Sequence, residues 1–362
     1  MTNESPAHLN AFKIAATYIG TIVGAGFASG QEVLQFFSAF GLLGIWGIVL
    51  ATSLFFVFGY MILVIGRALS ASAYVEVVRF SNGRFFGSLI DLIITIFLFG
   101  ALAAMIAGAG AISVEQFGLS SWWGTILMAL LALFTVIRGI KGVINAISYV
   151  VPVLLISVLL ISLYGIYRSP VTVEDIERTA NLVGAAPNWF IAALNYASFN
   201  LVIAVAILAP MGPNATKKST LFWGALLGAL GLGLGVLAIY FSVLSNILVV
   251  AVVEVPMIYI ASLISPFIQL LFAVVLFSAV YSTAVSNLYG FVSRMTFIDQ
   301  KFRISLIVGT TIAAFIVSQV GFSTLVTYLY PAVGYGGFIF FAGLLYVWVF
   351  KREALRAAGK SG

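Results

Sequence analysis

Any chemistry in this chain has to come from a few polar groups set in apolar surroundings. The first group lies between Thr17 and Glu32. There Gly20, Gly24, Gly26 and Gly30 crowd into eleven positions, and Thr21, Ser29, Gln31 and Glu32 follow the same stretch. Glycine favours backbone freedom over helix. Unpaired backbone in hydrocarbon costs several kcal/mol per group, so such an interruption persists only where it lines a buried cavity. Close helix packing is the plainer alternative, because Gly20/Gly24 and Gly26/Gly30 both fit a small-xxx-small pattern. The second group lies between Phe277 and Asn287, where Ser278, Ser282 and Ser286 form one helical stripe with Thr283 beside it. Hydroxyls with a nearby backbone carbonyl make a hard, neutral oxygen set suited to an alkali cation. Bonding of each hydroxyl back to its own helix is the plainer alternative there. The third group, Asn195, Tyr196, Ser198 and Asn200, interrupts an apolar run that ends at Pro210, Gly212 and Pro213.

The elements that hold these groups follow from composition. The 362 residues are 62% hydrophobic and only 8% charged, which excludes a soluble domain and predicts an all-α polytopic membrane protein. A β-barrel is excluded because the apolar runs are continuous rather than alternating. Ten apolar segments are expected, near 12–37, 44–68, 87–113, 122–138, 143–167, 188–211, 219–247, 260–292, 303–319 and 324–350. There is no cysteine, and no signal peptide is expected, because a basic n-region and a small-residue cleavage site are missing.

Charge supports this count. With the N-terminus in the cytoplasm, only Arg168 and Arg178 of the seventeen lysines and arginines lie outside, while Glu115, Glu174, Asp175, Glu177 and Glu254 fall in outer loops. This is the positive-inside pattern. It predicts a multi-pass protein of the inner (plasma) membrane with both termini cytoplasmic. The basic surplus is topological and does not indicate a nucleic-acid partner.

Five segments per half put the halves 12–167 and 188–350 in opposite orientations within one transmembrane domain, residues 1–362. Interrupted spans at corresponding positions of two inverted halves mark the binding site of a secondary transporter. Spans one and six are therefore both expected to be broken.

With these residues in view, the 5+5 layout resembles the LeuT-type fold shared by neurotransmitter:sodium symporters and the amino acid–polyamine–organocation superfamily. The stretch from Thr21 to Glu32 further resembles the YkvI-type bacterial membrane proteins of that superfamily. The resemblance covers essentially the whole chain at fold level, with its sequence support in spans one, six and eight. It implies a sodium site made from span-one carbonyls three residues apart, here Gly20 and Val23. Span eight would add the carbonyl of Ala279 and the hydroxyls of Ser282 and Thr283. It implies a substrate carboxylate on the span-one break at Gly24, Ala25 and Gly26, with Asn195, Ser198, Phe199 and Asn200 of span six on the other side.

Two features depart from the family pattern. Span three, from Phe97 to Met105, lacks the tyrosine that many amino acid symporters set against the carboxylate. Span five lacks the lysine that replaces sodium in some proton-coupled relatives, which favours sodium.

Two acids fall inside spans, and a charge there is by default a functional hypothesis. Glu32 could bind a cationic group, carry a proton, or accept hydrogen bonds from frayed span-six amides. Asp91, near Arg84, reads as a solvated interface residue. Asn145 and Tyr149 suit the pathway or helix–helix bonding equally, the glycines of span seven suit close packing, and His8 lies in the polar tail. The loop from Leu248 to Pro256 is expected to form part of an outer cap. Without cysteine or an intramembrane histidine, no cofactor, metal centre or enzyme is expected. The expectation is a sodium-coupled symporter of a small amino acid or related zwitterion working by alternating access. A proton-coupled carrier using Glu32 and a channel are the alternatives.

Overall fold

The computed structural model describes residues 9–138, 141–215, 217–295 and 300–351, with nothing said of the side chains of 141–149 and 181. His8, Asn145 and Tyr149 lie outside this description. The described residues form α1 (Ala11–Ile22), α2 (Ala25–Ser29), α3 (Gln31–Phe36), α4 (Leu43–Ala68), α5 (Tyr74–Phe117), α6 (Ser121–Arg138), α7 (Lys141–Arg168) and α8 (Val173–Arg178). They continue with α9 (Trp189–Met211), α10 (Lys218–Leu244), α11 (Ile247–Val250), α12 (Pro256–Ser262), α13 (Pro266–Arg294), α14 (Arg303–Ser318) and α15 (Phe322–Phe350). Among the described residues, eight helices are long and apolar enough to cross a membrane, and Ala11–Ile22 and Arg303–Ser318 are shorter apolar helices.

Helix starts follow capping chemistry. Asn10 accepts from the Lys13 N–H at 2.8 Å, Asn188 from Ile191 at 3.0 Å, and Ser265 from Ile268 at 3.2 Å. Such side chains satisfy N–H groups that have no partner within the helix. Ser265 also explains why the eighth apolar segment starts later than hydropathy predicts. Residues 256–262 form the separate helix α12, and Pro266 opens α13. Within α5, Gly83 has non-helical backbone (φ 72°, ψ −173°) and separates a short helix over 74–82 from the span that follows it, which starts close to the expected residue 87.

α5 packs along α6, α13 and α15, while α4 packs along α9 and α10, and α1 against α10. The glycines of α10 make the last contact close, as expected. A Cβ on Gly224 would stand 2.7 Å from Ile14, on Gly228 2.6 Å from Tyr18, and on Gly231 2.5 Å from Ile19. The core runs through the middle of the bundle, and Ala192 to Val205 of α9 lies almost entirely inside it.

Span six is not broken. α9 is one continuous helix, and its polar residues have a different use. The Asn195 amide donates to Pro331 O at 2.9 Å and the Ser198 hydroxyl to Gly334 O at 2.8 Å, both on α15. Polar side chains in a membrane helix bond to a neighbouring helix as readily as they mark unwound backbone.

Candidate functional site

The first span is interrupted where the glycines fall. The Val23 N–H donates to Ile19 O at 2.8 Å, and the next pairing across the junction is Ala28 N–H to Gly24 O at 3.0 Å. Carbonyls of residues 20 to 23 and amides of 24 to 27 thus have no helical partner. Gly24 is extended (φ −109°, ψ −172°) and open space surrounds the position of its Cβ. Gly20 meets only an ordinary contact, 3.5 Å to Val151. Close packing therefore does not account for the Gly20/Gly24 pair. A second bend follows at Gly30, whose φ of 83° suits glycine and whose Cα faces Met257 and Pro256 of α12.

Beyond this bend, Glu32 turns back onto the break. Its Oε1 would stand 2.1 Å from a Cβ on Gly26, so the missing side chain makes room for the carboxylate. Glu32 is 5% exposed, Oε2 is buried without a hydrogen-bond partner, and no donor or cation pairs with the group among the described residues. The amide-capping role considered for Glu32 is not what it does: α9 is unfrayed, and the carboxylate accepts no hydrogen bond.

On the facing scaffold helix, Ser282 is buried and donates to Ala279 O at 2.8 Å, while the Thr283 hydroxyl makes no hydrogen bond among the described residues. Ser278 donates to Val274 O at 2.8 Å, and Ser286 is exposed and donates to Ser282 O at 2.9 Å. The stripe therefore does not face the bundle along its length, and all three serines, Ser282 included, bond back to their own helix. α13, the helix that carries Ala279, Ser282 and Thr283, packs on α2.

Of the span-six candidates, Phe199 meets Phe36 at 5.6 Å and Tyr330 at 5.2 Å between ring centroids. Asn195 and Ser198 are engaged with α15, and Asn200 donates to Tyr196 O at 3.0 Å within α9. Tyr330, absent from the sequence expectation, joins the cluster together with Tyr196 and Gln31, which the sequence marks only as polar members of their segments. Tyr196 packs on Phe36 at 5.4 Å and Phe37 at 4.8 Å, and its buried hydroxyl has no partner. Tyr330 of α15 meets Phe97 edge-on at 5.6 Å, setting a ring from span ten beside the span-three stretch from Phe97 to Met105 that lacks a tyrosine. Gln31 donates from Nε2 to the Ser323 hydroxyl at 2.5 Å, joining α3 to α15. Polarity inside apolar segments signals Tyr196 and Ser323, but only the fold brings them to α3.

Two charge clusters lie elsewhere in the bundle. Arg294 donates to Asp91 Oδ1 at 2.6 Å and to Tyr74, whose hydroxyl also bonds Asp91. Asp91 is half exposed, as a solvated interface residue should be, but its partner is Arg294 across helices rather than the neighbouring Arg84. At the other end, Glu115 accepts from the N–H groups of Glu254 at 2.6 Å and Val255 at 3.0 Å, and Glu254 from Phe322 N–H at 3.2 Å. Burial pushes the Glu254 carboxyl above the usual range, and the Phe322 N–H works against that shift.

An interrupted first helix inside a helical bundle, facing an unbroken scaffold helix with buried hydroxyls, defines a membrane protein of the LeuT-type fold. Solved structures agree. MhsT in complex with L-phenylalanine superposes with a TM-score of 0.63 at 18% identity, covering 96% of this chain and 91% of MhsT. Mhp1 in an inward-facing conformation gives 0.57 at 15% identity over 99% of this chain and 77% of Mhp1. A manganese transporter from Eremococcus coleocola gives 0.57 at 15% identity over 96% and 81%. The chain is 30% identical to the uncharacterized membrane protein YkvI of Bacillus subtilis over 337 residues, 93% of this chain and 95% of YkvI, and it belongs to that family. It is also 29% identical to YyaD of the same organism over 87% of this chain and 90% of YyaD. No protein-family model matches it.

Proposed function

We propose that the chain is a secondary active transporter that moves a small amino acid or related amine-bearing solute by alternating access, with sodium as the coupling ion. The observation that carries this reading is the interruption at Val23-Gly24, which leaves the carbonyls of residues 20 to 23 without helical partners next to α2, the segment that packs on α13. Gly20 and Val23 carbonyls, Ala279 O and the hydroxyls of Ser282 and Thr283 would hold sodium as a set of neutral oxygens. The neighbour that carries L-phenylalanine supports the solute class. Ten spans in two inverted halves, with α1–α3 together forming span one and both termini cytoplasmic, complete the proposal. Sodium at the junction of spans one and eight would stabilise the interrupted helix, and so raise solute affinity with reciprocal effect.

A second reading has one observation in its favour. Glu32 is buried without a partner, and an ionised carboxylate in that position is costly. A proton carried there would couple transport to pH.

Counterflow in proteoliposomes tests the function. Preloaded solute that accelerates uptake of labelled solute, with saturation and a sodium requirement, is the expected result. Non-saturating flux would indicate a channel. Saturable exchange that ignores sodium and follows pH would select the proton reading.

A further inference from the structure

Buried polar atoms without partners show what an occupant must supply. Around the break these atoms are acceptors. Glu32 Oε2 and Gln31 Oε1 are unpaired, while the amide group of Gln31 is already used on Ser323. The Tyr196 hydroxyl is also unpaired and can accept or donate. An occupant that satisfies this set has to donate hydrogen bonds.

Charge points the same way. The Glu32 carboxylate covers Gly26, the position at which a zwitterion's carboxylate would be received. The helix that begins there, α2, has only five residues, so its end attracts an anion weakly. Two carboxylates in contact repel, and more strongly in a partly buried site than in water. No basic side chain pairs with Glu32, Tyr196 or Tyr330 among the described residues. The rings of Phe36, Tyr196, Phe199 and Tyr330 form a continuous series at 5.2–5.6 Å spacing. Aromatic faces attract a cation, and more strongly when water is excluded.

We infer that the solute is a small organic ammonium without a carboxylate, bound through its donor hydrogens to Glu32 and against the faces of Tyr196, Phe199 and Tyr330. Glu32 supplies the negative charge that an amino acid would otherwise bring with it. This inference rests on the carrier reading and narrows its solute class. The apolar rings receive the alkyl or aryl part of the molecule.

The test uses amine and amino acid pairs that differ only by the carboxylate: phenethylamine against phenylalanine, and isoamylamine against leucine. Thermal stability of the purified full chain in sodium measures binding, because a ligand of the folded state raises stability by RT ln(1 + [L]/Kd). Labelled phenethylamine counterflow measures transport in parallel. The amines are expected to raise the melting temperature by several degrees and the amino acids to leave it unchanged. Glu32→Gln is expected to weaken the amine response at least tenfold while keeping the unliganded melting temperature, and Glu32→Asp to restore part of it. Stabilisation by the amino acids equal to or above that by the amines would overturn the inference, as would an undiminished amine response in Glu32→Gln. Amino acids that exchange across vesicles while amines fail to bind would overturn it and leave the carrier intact. Amines that bind but never exchange would leave the solute class standing and sink the carrier.

Discussion

The Glu32 carboxylate occupies the space that a side chain at residue 26 would need, with Oε1 2.1 Å from the place of a Gly26 Cβ. The helix interruption and the acid six residues later are therefore one construction. Gly26→Ala should displace Glu32, cost about 1–3 kcal/mol of stability as overpacking does, and abolish solute binding. Melting temperature and ligand-induced stabilisation, measured together, separate the two effects.

Gly24 behaves oppositely. Its backbone is extended and its Cβ would point into open space. Gly24→Leu should insert and melt as the parent does, yet fill the cavity and stop counterflow. Normal uptake by this variant would remove the break from the binding site.

The cation site predicts an asymmetry. Ser282 already donates to Ala279 O, whereas the Thr283 hydroxyl makes no hydrogen bond among the described residues. Thr283→Ala should raise the sodium concentration for half-maximal transport about tenfold, equivalent to ~1.4 kcal/mol. Ser282→Ala should raise it less, and the double variant more. An unchanged sodium curve in the double variant would exclude these hydroxyls.

Close contact between α9 and α15 rests on small residues. A Cβ on Gly334 would stand 2.0 Å from Asn195 Oδ1, and one on Gly337 2.4 Å from the Ser198 hydroxyl. Gly334→Ala should lower the melting temperature by several degrees. Asn195→Ala added to it should recover part of the loss, because the clash and the bond share a partner.

Glu254 gives the pH prediction. Burial raises its folded-state pKa above the unfolded value, so between the two the folded state holds more protons. Its contribution to stability is full below the unfolded pKa and fades as pH rises through the folded one. Glu254→Gln should flatten this part of the melting-temperature profile. A profile equally steep in the variant would assign the dependence to another group.

Much of this was legible in the sequence, because membrane spans are defined by composition and a helix break by glycine. The extent of α4, the break at Val23-Gly24 and the glycine face of α10 follow from local residue types alone. What was not legible depends on distant partners. Asn195 and Ser198 look like an unwound helix until Pro331 and Gly334 are seen to accept from them. Asp91 looks as if Arg84 were its neighbour until Arg294, 203 residues later, reaches it. Tyr330 and Ser323 carry no local mark that would assign them to α3, and α3 meets α15 only through the tertiary fold.

The bonds from Asn195 to Pro331 O and from Ser198 to Gly334 O have a kinetic consequence. Any motion that separates the two helices leaves donors and acceptors bare in a medium that offers no water. Each bare group costs about 1–3 kcal/mol. Turnover must then either carry both helices as one lever or climb an activation step of several kcal/mol in each cycle. The first route gives a shallow temperature dependence of turnover, and the second a steep one.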